Sequence, residues 1–243
     1  MERQNVLEKS RVLHQLMQRA TLDAIEIEYT AQRLQELLSC NTYIVSKEGL
    51  LLGNSECSVE GLFSLQEMEE KQISEENMNW IFAHSKGQVN VKYGKNYCDL
   101  IPIVHQNERL GMLVISQGKE PLNEDLLFLA EYGATLAAVQ MIRAMNLKAE
   151  TEARKKNVVQ LALEVLSYSE LEAVKYIFNE IEGNEGFLVA SKLAEEYKLT
   201  RSVIVNALRK LESAGVIDAR SLGMKGTYIK ILNDYLYEEL AAI

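Results

Sequence analysis

One cationic and two hydroxyl side chains stand together at the head of an apolar stretch of the sequence. The stretch is LTRSVIVNALRKLESAGVI, from Leu199 to Ile217, and the three residues are Thr200, Arg201 and Ser202. A guanidinium and two hydroxyls can all donate hydrogen bonds to phosphate oxygens. The apolar residues that follow recur at helical spacing. The pattern therefore predicts an amphipathic helix whose polar amino end is available to an anion.

The segments around this helix have the layout of a winged helix-turn-helix. Ser191 is predicted to cap a short preceding helix, and Lys198 and Leu199 form a tight turn. Thr200 caps the second helix, which ends at Gly215, a residue suited to the left-handed C-terminal position. Two alternating strands, VIDAR and TYIKIL, then flank a wing tip, SLGMKG. In such a fold the second helix enters the major groove with its amino end first.

Polar residues of this region are the candidate contacts to double-stranded DNA. Arg201 can pair with guanine or phosphate, Asn206 with adenine, and Ser202 with phosphate. The candidate DNA-binding residues are Ser191, Lys192, Thr200, Arg201, Ser202, Asn206, Arg209, Lys210 and Lys225. A winged helix that contacts only proteins is the alternative. A basic helix together with a basic wing favours DNA.

The distribution of charge supports that preference although the whole chain is acidic. The formal net charge of the 243 residues is −9. The segment from Ala190 to Leu232 has eight basic and four acidic residues, so it carries +4 and the remainder carries −13. An acidic body with a basic end is typical of a protein in which one domain meets a polyanion.

The first 120 residues predict an α+β domain. Two helical stretches come first, and TYIVS and LLLGNS then form a hairpin around Gly49. GLFSLQEMEEKQ and SEENMNWIFAHS are predicted as short helices, and QVNVKYG, CDLIPIV and RLGMLVISQ as three further strands. Antiparallel strands with helices around them favour a ligand-sensing domain of the GAF or PAS kind.

A long helical segment is predicted to join two domains. After Pro121 the sequence contains no proline through residue 166, and Asn123 supplies a helix start. Ser169 is predicted to cap the first helix of the last domain. The predicted fold is α+β, with a GAF-like ligand-sensing domain at residues 1–120, a linking helix at 121–166 and a winged helix-turn-helix at 167–243.

No catalytic or metal-binding set is predicted. Cys40, Cys57 and Cys98 lack the spacing of a zinc site, and the three histidines are scattered. The sequence has no Gly-rich phosphate-binding motif. It also lacks a signal peptide's apolar segment, and we see no apolar run of about 18 residues, so we expect a cytoplasmic protein without a membrane span.

The carboxy-terminal third closely resembles the DNA-binding domain of the CodY family of pleiotropic transcriptional repressors. The resemblance is near-continuous from Val158 to Asn233, through LSYSELEAVKYIFNEIEGNEGFLVASK and ASKLAEEYKLTRSVIVNALRKLESAGVIDARSLGMKGTYIKILN. ERLGMLVISQ and LAEYGATLAAVQMIR add weaker matches upstream. The resemblance implies a homodimeric repressor with an amino-terminal GAF domain. The effectors it implies are isoleucine, valine, leucine and, for many members, GTP.

The effector pocket departs from the family pattern. Members hold the amino acid's carboxylate with an arginine after the first hairpin, followed by methionines and a phenylalanine. A gapless alignment puts Ser64 at the arginine, Leu65 and Met68 at the methionines and Ser74 near the phenylalanine. The candidate ligand-binding residues are thus Ser64, Leu65, Met68, Ile73 and Ser74. The following loop is shorter and lacks a Phe-Pro-Val stretch, so isoleucine should bind poorly unless Lys71 or a helix amino terminus replaces the arginine.

Two alternatives remain open. One is a repressor of the same family with an altered or lost small-molecule input. The other is an enzyme, since some GAF domains reduce free methionine sulfoxide with cysteine nucleophiles. No histidine lies near a cysteine in the sequence, and a fused winged helix disfavours the enzyme.

Overall fold

The computed structural model describes residues 2–22, 26–57, 61–84, 87–118, 122–181 and 183–243. Its contacts divide the chain into two compact units, Met1–Asn146 and Leu147–Ile243. The division falls inside one helix, α5 (Glu124–Glu164), which is 41 residues long. The segment predicted as a linker therefore contributes its first half to one unit and its second half to the other.

The first unit alternates helices with strands as the sequence predicts. Its elements before α5 are α1 (Glu2–Leu22), α2 (Ile27–Leu38), β1 (Asn41–Ser46), β2 (Leu51–Ser55), α3 (Leu65–Glu70), α4 (Glu75–Ala83), β3 (Gln88–Tyr93), β4 (Asn96–His105) and β5 (Glu108–Gln117). The strands form one antiparallel sheet in the order β2-β1-β5-β4-β3. The predicted hairpin and the three later strands are confirmed.

Each face of this sheet is covered by helices because the strands are apolar on both sides. On one face, Ile44, Ile101 and Leu113 pack with buried residues of α1, α2 and α5. On the other, Tyr43, Leu100 and Val114 pack with Phe63, Ile73 and Ile81 of the α3–α4 region. A central sheet of this kind excludes water from both sides, which explains the near-continuous apolar runs of β1 and β5.

The expectation that no long apolar run exists is corrected at α5. This helix contains an 18-residue window apolar enough to cross a membrane, and half of that window is buried inside the protein. Leu129, Leu136 and Ala137 belong to the core, and Gly133 allows α5 to approach Leu34 of α2 more closely than any side chain would permit. Tertiary packing thus accounts for the apolar composition, and α5 is a core helix.

The second unit is a winged helix-turn-helix built on the end of α5. Its further elements are α6 (Tyr168–Glu180), β6 (Glu185–Leu188), α7 (Ala190–Glu196), α8 (Arg201–Ser213), β7 (Ile217–Ser221), a 3-10 turn (Gly223–Lys225), β8 (Thr227–Ile231) and α9 (Leu236–Ala241). The two predicted wing strands are confirmed. β6 is an addition: it pairs with the free side of β8, giving the order β6-β8-β7.

Two predicted helix caps are wrong. Ser167, not Ser169, caps α6, and its backbone N–H donates to Glu170 in a capping box. Ser191 is not the cap of α7, because the N-cap position is Val189, two residues earlier, which offers no side-chain acceptor. The other predicted caps, Asn123 and Thr200, accept hydrogen bonds from the backbone of the helices that they precede.

Candidate nucleic-acid interface and sensor site

The amino end of α8 presents its polar residues to solvent. Thr200 Oγ1 accepts a hydrogen bond from the Val203 amide at 3.4 Å and lies 3.0 Å from Ser202 Oγ. Arg201 and Ser202 are exposed in the first turn. The opposite face of the helix is buried through Ile204, Ala207, Leu208 and Leu211. The apolar face therefore fixes α8 in its domain and leaves the amino end free.

Three exposed residues form a stripe along α8. Ser202, Asn206 and Arg209 are separated by four and three residues, so they share one face of the helix. A hydroxyl, an amide and a guanidinium in this order match the edges and phosphates of a DNA groove. The stripe extends over two helical turns.

A polar groove lies between α8 and the wing. It has a volume of about 480 Å³, and Ser191 and Arg201 line it opposite wing residues that include Gly223. The remaining lining residues are Val189, Ala190, Ser221, Gly226 and Thr227. Gly226 is required here, since its φ is +98° and a Cβ would lie 2.5 Å from the Leu188 carbonyl oxygen. The groove brings together the starts of α7 and α8 and the wing tip.

Lysines extend the positive surface of this unit. Lys192 on α7 and Lys225 at the wing tip are both exposed. Arg220, on β7, is instead paired with Asp218 at 2.8 Å. Arg201 lines the groove, and Lys192 and Lys225 directly adjoin the lining residues Ser191 and Gly226 in the sequence.

Lys210, a predicted DNA contact, forms an ion pair within its own domain. Its Nζ lies 2.6 Å from Glu170 Oε2 and 3.1 Å from the Val165 carbonyl oxygen. It stands in the last turn of α8, at the end remote from Arg201. Its ammonium joins α8 to the start of α6, so the structure gives Lys210 a role in the fold.

In the first unit, the Glu67 carboxylate organises the α3–α4 corner. It accepts hydrogen bonds from the Ser64 amide (2.9 Å), the Ser64 hydroxyl (2.7 Å), the Ser74 amide (2.6 Å) and Asn77 Nδ2 (2.8 Å). Burial by itself would raise the pKa of Glu67, but these hydrogen bonds outweigh it and lower the pKa to about 2. Asn77 in turn accepts a hydrogen bond from the Tyr93 hydroxyl at 2.7 Å, which ties the corner to β3.

The five candidate ligand-binding residues surround this corner without sharing one environment. Ser64 and Ser74 cap α3 and α4, respectively. Ile73 is buried, and Met68 packs against the same core cluster. Leu65, by contrast, is 83% exposed.

Comparison with known proteins covers both units. Residues 5–165 match the CodY GAF-like domain, and residues 184–242 match the CodY helix-turn-helix domain. The chain is 45% identical over 251 residues to the global transcriptional regulator CodY of Exiguobacterium sibiricum, covering 96% of this chain and 97% of the relative. Identity to the regulator of the same name from Clostridium acetobutylicum is 42% over 254 residues, covering 98% of each.

The chain belongs to the CodY family. It is a global transcriptional regulator with a GAF-like domain and a helix-turn-helix domain. A solved structure, that of the cofactor binding GAF domain of the nutrient sensor CodY from Clostridium difficile, is 25% identical, with a TM-score of 0.40; the match covers 56% of this chain and 97% of that one.

Within the CodY helix-turn-helix domain, the sequence placed the wing tip at SLGMKG but did not show that its backbone lines a groove. Gly223 and Gly226 line the groove, and glycines carry no side-chain signal. Glu67 was also missed, although the sequence held a sign of it. Ser64 and Glu67 have the spacing of a capping box, in which a serine and a glutamate three residues later bond reciprocally at a helix start.

Proposed function

We propose that this CodY-family chain represses transcription by placing the amino end of α8 in the major groove of operator DNA. The groove shared by Ser191, Arg201 and the wing tip is the observation that carries the proposal. A cation, a hydroxyl and wing backbone that converge on a cavity of this size suit a DNA phosphate. The exposed stripe of Ser202, Asn206 and Arg209 would then face base edges.

In this arrangement the contacts divide into two kinds. Ser191, Lys192, Thr200 and Lys225 hold the phosphate backbone and set the position of the helix. Asn206 can recognise adenine, and Arg201 and Arg209 can recognise guanine or bind phosphate. We leave Lys210 out of the contact set because Glu170 holds its ammonium.

The test is the affinity of the full-length Arg201→Ala variant for operator DNA. We expect binding to weaken by about 1–3 kcal/mol, because a charged contact to a base or phosphate is lost. Arg154→Ala is the matched control, since it removes an equal charge from an exposed position on α5. Wild-type affinity in the Arg201 variant, or an equal loss in both variants, would exclude the proposed interface.

We further propose that the GAF-like domain senses a small nutrient metabolite, as family membership suggests. Isoleucine, valine, leucine and GTP are the candidate effectors. The three amino acids share a carboxylate that needs a cation or free N–H donors. The chain has Ser64 where the family pattern has arginine, and Glu67 already accepts the hydrogen bonds of Ser64 and Ser74.

A second candidate, favoured by Glu67, is a regulator of the same family with altered effector chemistry. A free amino acid's carboxylate would meet the Glu67 carboxylate at this corner, and like charges repel. Such a site would accept a neutral or cationic group more readily. The chain would then regulate transcription in response to a different metabolite, or independently of any metabolite.

Calorimetric titration of the full-length protein separates these candidates. Isoleucine, valine, leucine and GTP are titrated, together with isoleucinamide, which lacks the carboxylate. Binding of isoleucine in preference to its amide supports a conventional branched-chain sensor. Preference for the amide supports the altered pocket, and unchanged DNA affinity across the whole panel supports a lost input.

The thiol-reductase alternative finds no support in the chemistry of the cysteines. Burial is the main cause that raises the pKa of Cys40 and of Cys98, each to about 11. Both thiols are therefore protonated near neutral pH, whereas a nucleophile must be a thiolate. We propose a non-enzymatic regulator that acts in the cytoplasm as a homodimer, as the family resemblance implies.

A further inference from the structure

Two of the cysteines, Cys40 and Cys57, flank the open end of the first hairpin. In the β1–β2 ladder, Thr42 pairs with Ser55, Tyr43 with Asn54 and Ile44 with Gly53. Continuing this antiparallel register by two residues sets Cys40 opposite Cys57. Residues directly opposite in antiparallel strands have Cα atoms about 4.5–5.5 Å apart, and disulfides span Cα separations of about 4.4–6.8 Å.

Hydrogen bonds of Cys57 support this juxtaposition. Cys57 Sγ lies 3.2 Å from Asn41 Oδ1 and 3.8 Å from the Ser39 carbonyl oxygen, which are groups on the two residues that flank Cys40. The Cys57 amide also donates to Asn41 Oδ1, at 2.8 Å. Cys57 is thus held against the start of β1 although it lies beyond the end of β2.

The two thiols differ in their access to solvent. Cys40 is 3% exposed, and its Sγ donates to the Leu38 carbonyl oxygen at 3.3 Å. Cys57 is partly exposed. A dissolved oxidant can therefore reach Cys57 first, and the buried Cys40 can then react as the second thiol of the pair.

We propose that Cys40 and Cys57 are a redox-modification site that forms a reversible disulfide when the protein meets a peroxide. The Cys57 thiolate attacks one peroxide oxygen, the O–O bond breaks, and Cys57 becomes a sulfenic acid with release of water. The Cys40 thiol then loses its proton and its sulfur attacks the Cys57 sulfur; the S–O bond breaks, and the hydroxyl leaves as a second water with that proton. Two thiols are oxidised, and one hydrogen peroxide is reduced to two waters.

The disulfide would lie beside the hydrogen bonds that join Glu56 and Leu62 to β1, ahead of the α3–α4 corner. The Leu62 amide donates to the Tyr43 hydroxyl at 2.9 Å, and that hydroxyl donates to Glu56. Glu56 and Leu62 are therefore already attached to β1 through Tyr43. A Cys40–Cys57 disulfide adds a covalent restraint beside these two hydrogen bonds and closes the hairpin at its open end.

Peptide mapping of the full-length protein tests the proposal. The reduced protein is treated with hydrogen peroxide, its free thiols are alkylated, and it is digested without reductant for mass spectrometry. We expect a linked peptide pair containing Cys40 and Cys57, lighter by two hydrogens than the separate peptides and released by dithiothreitol. Sulfinic acid on Cys57 with Cys40 alkylated, or linkage of Cys57 to a second chain, would overturn the proposal.

Two cysteine variants test which thiols form the disulfide. Cys57→Ser should abolish the linked pair, whereas Cys98→Ser should retain it, because Cys98 lies on β4 with no cysteine opposite it. Cys98→Ser is the control because it removes one cysteine from the same unit and leaves Cys40 and Cys57 in place. A linked pair that involves Cys98 in the wild-type protein would count against the proposed site. The wild-type map decides the question even where a variant folds poorly.

Discussion

The ammonium of Lys210 lies 2.6 Å from the Glu170 carboxylate and joins the last turn of α8 to the first turn of α6. The Glu170 side chain is almost fully buried, whereas that of Lys210 is partly exposed. Glu170 also completes the capping box of α6 by accepting a hydrogen bond from the Ser167 amide at 2.7 Å. The Lys210 hydrogen bond, followed by that of Ser167, lowers the pKa of Glu170.

This contact predicts opposite effects for two adjacent residues of α8. Lys210→Met should lower the free energy of unfolding by about 1–2 kcal/mol, because Glu170 loses a charged partner. It should leave operator affinity unchanged. Arg209→Met should weaken operator binding and leave stability unchanged, since Arg209 is exposed. Urea denaturation and DNA titration of both variants check this; weaker DNA binding by the Lys210 variant would return that residue to the interface.

The low pKa of Glu67 predicts an acid-dependent loss of stability in the first unit. An unfolded glutamate titrates near pH 4.3, and the pKa of folded Glu67 is about 2. Its contribution is therefore complete above about pH 4.3 and is lost as the pH falls towards 2, on the order of 2 kcal/mol in all. Glu67→Gln should lack this part of the pH dependence.

Urea denaturation of the wild type and of Glu67→Gln between pH 6 and pH 3 is the measurement. Other carboxyl groups titrate in both proteins, so only the difference between the two curves reports on Glu67. A difference that stays constant with pH would mean that Glu67 does not hold this corner through its charge.

Lys225 at the wing tip should contribute affinity without sequence preference. Its ammonium is exposed beside the groove, where it can neutralise one phosphate. Lys225→Ala should lower the slope of the logarithm of affinity against the logarithm of salt concentration by about one unit. Binding to operator and to unrelated duplexes should weaken equally. An unchanged salt slope would place the wing away from the phosphates.

Negative charge at the first turn of α8 should abolish operator binding without harming the fold. Ser202→Asp puts a carboxylate at the second helical position, where the helix dipole favours it, but where DNA phosphates would repel it. Ser169→Asp is the matched control, because Ser169 is also exposed and is the second residue of α6. Normal operator binding by Ser202→Asp would contradict the placement of α8 in the groove.

Local patterns in the sequence determined much of this architecture. The helix of α8, its Thr200 cap and the two wing strands follow from short-range periodicity and from the residue types that suit each terminus. The polar amino end of α8 could be identified as a candidate interface because an amphipathic helix with a buried face must expose the other. The exposed positions of Arg201, Ser202 and Asn206 agree with that prediction.

Tertiary structure decided what depends on partners distant in sequence. β6 is a strand because β8 offers it a free edge, and a four-residue run has too little local pattern to show this. Lys210 and Arg209 are adjacent basic residues on one helix, yet only Lys210 meets Glu170, 40 residues away. Cys40 and Cys57 show no motif, because the contacts of Cys57 with Ser39 and Asn41, which flank Cys40, arise from the pairing of β1 with β2. The local sequence thus shows which chemical groups are present. The packing of the whole domain decides which of those groups face each other.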